Sequence, residues 1–148
     1  MTQAYKHSLL YFLLFSLLLL VSGTLLFEHK IGFSVASVSS YYLGNEESFT
    51  AAKTISGILK IILPHIFAFG LFLMVTLHFL VFTDKRGIKA TRVLIYLLFS
   101  SAFLEIFSPF FILFGLEVFS YLKIFSFVLL EILTLYGIWL LFHSIVYE

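Results

Sequence analysis

Residues 61–83 read IILPHIFAFGLFLMVTLHFLVFT, 23 positions in a row without an acid, lysine or arginine. At about 1.5 Å per residue such a helix is about 35 Å long, enough to cross a hydrocarbon core about 30 Å thick. Outward from it the same composition recurs. Residues 8–27 form an uncharged run of 20, residues 93–116 are broken only by Glu105, and residues 124–147 only by Glu131. Spans are therefore expected at about 8–27, 58–83, 92–115 and 119–146, in one transmembrane domain covering 1–148. With 61% hydrophobic and 11% charged residues and a mean hydropathy of +1.11, the chain cannot cover a water-soluble globule with polar surface, so lipid is its solvent. Backbone in lipid must bond to itself, and segments this long without period-2 alternation favour helices over barrel strands. The fold class is all-α, an integral membrane four-helix up-down bundle.

The start of the chain, with Lys6, an apolar run and then Val21-Ser22-Gly23, imitates a secretory signal and its cleavage site. The run is longer than an ordinary signal core and continues through Thr24-Leu25-Leu26-Phe27, so an uncleaved helix is expected. The loop 84–92 gathers Lys85, Arg86, Lys89 and Arg92, which by the positive-inside rule places it, and with an even number of spans both termini, in the cytoplasm of a bacterial inner membrane. A net charge of +1 with basic residues clustered where topology needs them argues against a nucleic-acid partner.

The connection 28–57 is the one long loop. Ser34 is suited to cap a short interfacial helix ending at Gly44. Asn45 is suited to cap another, with Glu46 and Glu47 in its first turn, running on into the second span. Tyr41, Tyr42, Phe33 and Phe49 suit the headgroup region. Near Gly115-Leu116-Glu117 a short turn makes the third and fourth helices an antiparallel hairpin.

Ionisable groups within lipid cost several kcal/mol unless they pair, face the interior or bind something. His65, His78, Glu105 and Glu131 are the four such groups. Counting from helix ends, His78, His143 and His7 fall at one level near the inner face, while His65 lies in the outer half with His29 beyond it. Glu105 and Glu131 fall near the midplane, each about three turns from the outer end of its helix. His65 and His78 are 13 positions apart, about 20 Å along the axis and about 220° around it. The fourth helix carries Ser120, Lys123, Phe127, Glu131 and Thr134 as one polar stripe that should face the bundle. The third carries Ser101, Glu105 and Ser108, followed by Pro109, whose missing N–H frees the carbonyl of Glu105 for another partner. Glu105 and Glu131 are expected to approach each other across the hairpin, as a proton-carrying or cation-binding pair or as two neutral carboxyls hydrogen-bonded to neighbours.

In its His65 to His78 spacing within a four-helix context, the chain resembles the membrane b-type cytochromes, where one helix with two widely spaced histidines ligates two stacked haems. The resemblance implies haem b held by His78 with His143 or His7 in the inner layer, and a second haem at His65. It implies an electron-transfer component whose partners are a quinone or other membrane redox subunits. Two alternatives come from the residues themselves. One is a metal- or proton-handling transporter subunit using His65, Glu105 and Glu131. The other is a non-catalytic assembly or anchoring subunit whose buried polar groups hold helices together. Gly-rich phosphate loops, a Ser-His-Asp arrangement and a close His-x-x-x-His pair are all missing from the sequence, so no hydrolase or nucleotide site is expected and no catalytic residue is assigned. The absence of cysteine excludes disulfides, thiolate metal sites and covalent haem attachment.

Overall fold

The computed structural model describes residues 3–46, 49–83 and 88–147, and every long segment among them is helical. The helices are α1 (Gln3–Lys30), α2 (Val35–Leu43), α3 (Ile55–Thr83), α4 (Ile88–Leu113) and α5 (Val118–Tyr147). Four of them, all but α2, are long and apolar enough to cross a membrane. The chain is an all-α membrane bundle of four long helices, with one short helix between the first two.

Its organising unit is the α4–α5 hairpin, whose two helices make the most extensive pairing and bury far more of their surface than α1 or α3. The turn follows from Gly115. Its positive φ of 81° lets the Gly115 N–H donate to Ile112 O at 2.9 Å and the Leu116 N–H to Phe111 O at 3.1 Å, closing α4 in the manner of a left-handed helix stop. α3 packs on both members of the hairpin and α1 on α5. Near one end of the bundle, Phe12 of α1 also meets Phe79 of α3 edge-on at 5.3 Å. Leu9, Leu13, Leu73, Leu80, Leu98 and Leu141 fill the core at this level.

At the other end, α2 is capped as expected. Ser34 accepts from the Ser37 N–H at 3.0 Å, the Ser34 N–H donates in turn to the Ser37 hydroxyl, and Gly44 closes the helix at φ 83°. Its Val38 and Tyr42, one turn apart, are buried against Ile58, Ile62, Ile106 and Ile112. Tyr42 is thus a core residue, not a headgroup anchor, because α2 turns this stripe into the hairpin. Tyr41 remains half-buried beneath the Lys53 ammonium, 4.7 Å from its ring. Phe33 and Phe49 are exposed.

The helix expected from Asn45 onward does not form. Asn45 and Thr50 pair as an antiparallel bridge, exchanging backbone bonds of 3.0 Å in both directions, and residues 51–54 are irregular. Thr54 is the residue that caps α3, accepting from the Gly57 N–H at 3.1 Å. Glu47 of the expected helix, and Lys85 and Arg86 of the basic loop, lie outside the described residues.

Candidate functional site

The densest polar chemistry lies between α4 and α5 at the α2 end of the bundle. Lys123, five residues into α5, extends its ammonium to the Glu105 carboxylate and donates a second bond to the Glu105 carbonyl at 2.7 Å. That carbonyl is available because its usual helical donor, four residues on, would be the N–H that Pro109 lacks. The Ser108 hydroxyl donates to the same oxygen at 3.2 Å. Both charged side chains are less than a tenth exposed. Ser101, Ser108, Ser120 and Ser126 are buried along the same seam, and Ser120 shares a hydroxyl bond of 3.0 Å with Ser39 of α2. Tyr42 closes the assembly from α2. Its burial, and then the negative charge of Glu105, push its phenol above the ordinary tyrosine range. With its hydrogen bonds made, this pair acts as a lock, since removing one partner would strand the other charge in the interior.

Glu131 does not join Glu105. Lys123 occupies Glu105, and Glu131 lies eight residues farther along α5, about 12 Å deeper by helical rise. It turns instead to α1, where a methyl group added at Gly23 would sit 3.8 Å from its Oε1. Glu131 is half-buried on a cleft of about 230 Å³ lined by Leu17, Leu20, Val21, Thr24, Leu25 and Leu135. It makes no hydrogen bond or ion pair with any described residue.

All five histidines lie on the outside of the bundle. His65 is the informative one. Ile58, Ile62, Leu73, Thr76 and Leu80 are buried at spacings that trace one stripe of α3 toward the core. His65 falls on that stripe between Ile62 and the half-buried Phe69, yet it is exposed. The stripe opens there because no helix of this chain covers it, and Ile61, Pro64 and Ala68 beside it are exposed as well. His65 Nδ1 lies 2.6 Å from the Ile61 carbonyl, which can only accept, so Nδ1 is the donor of this bond and Nε2 is the ring nitrogen left to meet another group. His78, on another face of α3, contacts Phe79. His143 contacts Trp139, and His7 Nδ1 bonds the Gln3 carbonyl at 2.8 Å.

Each of these rings is exposed rather than turned into the bundle. His78, His143 and His7 do not frame an interior pocket for a porphyrin, and leucines and phenylalanines fill the core at that end. His65, Glu105 and Glu131 are likewise held at three separate places. No group of three or more potential metal ligands occurs among the described residues.

Sequence reasoning placed Lys123 in the polar stripe but also used it to mark the start of a span, and so missed it as Glu105's partner. The signal was distance from the turn, since residues at similar distances from a hairpin turn lie near each other, and Lys123 is nearer to Glu105 in this count than Glu131 is. Glu105 stands eight residues before the end of α4, Lys123 five after the start of α5, and Glu131 thirteen after it. Ser39 and Tyr42 carried no such signal, because the way α2 folds back is set by packing.

A family model, Aq_1264_TM, described as a transmembrane helical domain, matches residues 32–148, from just before α2 through the end of the chain. No curated protein and no solved structure matches.

Proposed function

The chain belongs to the Aq_1264_TM family of transmembrane helical domains, and from that footing we propose that it is a non-catalytic subunit of a larger membrane assembly. Its hairpin and α2 form a self-locked platform, and α3 lies against a transmembrane helix of a partner. One observation carries this reading: the core-facing stripe of α3 is buried on both sides of His65 but open at it. In lipid, an exposed imidazole beside a small residue such as Ala68 suits close approach of another helix, with a donor from that helix meeting His65 Nε2. The test is a photo-crosslinking residue at position 68, compared with one at Tyr96, which is exposed on α4. In native membranes position 68 should give one discrete protein adduct and position 96 none. Absence of an adduct at 68, or the same pattern at both positions, would contradict the reading.

A second reading, electron transfer with haem b, draws support from the ring geometry of His65. A histidine that ligates a metal commonly donates its other N–H to a carbonyl, as Nδ1 does here to Ile61. Because His65 and His78 are both exposed, such a haem would sit at the surface of α3 and take its second ligand from another chain. Bound haem would supply one-electron chemistry. This chain's part would be to hold the imidazole tautomer and exclude water on its side. Purified protein from haem-replete cells should then show a reduced-minus-oxidised absorbance band that weakens in His65→Ala or His78→Ala. Colourless protein removes this reading and leaves the assembly role untouched.

A further inference from the structure

We propose that the cleft between α1 and α5 that ends on Glu131 is a docking notch for a single basic side chain, lysine or arginine, carried near mid-membrane by a partner's transmembrane helix. The inference rests on the assembly reading but uses a different face of the molecule.

Three observations lead to it. First, Glu131 stands thirteen residues into α5, about 20 Å from the start of the helix by its rise per residue, well below the headgroups. There it is half-buried and makes no hydrogen bond or ion pair with any described residue. A carboxyl at that depth is stable when another charge meets it. The chain satisfies Glu105 in this way, through Lys123.

Second, no described basic residue is left to do the same for Glu131, in this copy or in another. Lys6, Lys30, Lys60, Lys89 and Arg92 all stand within about two turns of a helix end, and Lys53 lies in the loop before α3. Lys60, five residues into α3, is about 12 Å shallower than Glu131 when each is counted from the start of its own helix. A second copy of this chain therefore brings no described ammonium or guanidinium to that level, and the lysine or arginine of this proposal belongs to a different protein.

Third, the cleft has the size and lining for one side chain. Its volume of about 230 Å³ lies below the roughly 300–1,000 Å³ of sites that enclose whole small ligands. Leu17, Leu20, Val21, Leu25 and Leu135 offer an apolar wall for the methylenes of a lysine or arginine, and Glu131 receives its charged head.

The test uses the full chain in phosphatidylcholine vesicles with two labelled synthetic helices of leucine and alanine, alike except for lysine or leucine at the centre. Energy transfer reports association. The lysine helix should bind wild type about tenfold more tightly than the leucine helix, a difference of about 1.4 kcal/mol. That advantage should vanish in Glu131→Gln, and Glu131→Lys should instead prefer a helix with a central glutamate. Equal binding of the two helices by wild type would overturn the proposal, as would a lysine preference that survives Glu131→Gln. Circular dichroism confirms that the variants keep their helices, since neither substitution touches the Lys123–Glu105 lock. Crosslinking from position 68 reads the α3 face independently. Its loss with lysine selectivity intact would reject docking through α3 and leave the notch in place, and the reverse result would reject the notch alone.

Discussion

Glu105 and Glu131 stand on the two helices that pack most closely, yet one is enclosed and the other half-open. Around Glu105, α2, α4 and α5 converge, and a lysine, a proline-freed carbonyl and several serines satisfy each other. Around Glu131 only α1 and α5 meet, and the wall is leucine and valine with a single threonine. The contrast shows that depth in the membrane does not by itself make an acid functional. What matters is whether the chain supplies its counter-charge. On the reading proposed above the α4–α5 seam is structural, and the half-buried Glu131 and the exposed His65 are where a partner would meet the molecule.

The largest effect that would sharpen this contrast is expected at the seam. Glu105→Ala or Lys123→Ala should each destabilise the bundle by about 3–5 kcal/mol, because each strands the other charge. Glu105→Leu with Lys123→Met should recover most of that loss, since well-packed apolar replacements of a buried pair are often neutral. Reversible unfolding in mixed micelles measures both.

Next comes a pH dependence from Tyr42, whose folded pKa is raised by burial and then by Glu105. Folding holds the phenol neutral, so its contribution is complete below about pH 10, the unfolded tyrosine value, and declines as pH climbs above it. One pH unit into that decline the loss approaches about 1.4 kcal/mol relative to Tyr42→Phe. Matching alkaline profiles for the two proteins would remove the link between α2 and Glu105.

The hydroxyl bond between Ser39 and Ser120 is a smaller matter. Ser120→Ala should cost about 0.6 kcal/mol, the typical value for such bonds between membrane helices. The smallest effect is expected at the open acid. Glu131→Gln, which takes an acid without a counter-charge out of the membrane interior, should leave the isolated chain at least as stable as wild type. A loss as large as that at Glu105 would mean that Glu131 is also part of the lock.

Much of this was legible in the residues. Four apolar runs, the Ser34 and Gly44 caps, the Gly115 turn and the carbonyl freed by Pro109 follow from local rules that tertiary packing did not override. Asn45 was misread because a capping residue also serves a tight turn, and here the bridge to Thr50 prevailed. The histidines were legible as costly groups, but their direction was not. A stripe spaced at three and four residues says which face is apolar, not whether a neighbouring helix arrives to cover it. Only the arrangement of α1 against α5 shows that His65 is left open.

The most direct test of the account is a pair of double-mutant cycles sharing Lys123, one with Glu105 and one with Glu131, read by unfolding in the same micelles. The account predicts a coupling of more than about 1 kcal/mol between Lys123 and Glu105 and, within about 0.5 kcal/mol, none between Lys123 and Glu131. Comparable coupling in both cycles, or coupling only to Glu131, would contradict it.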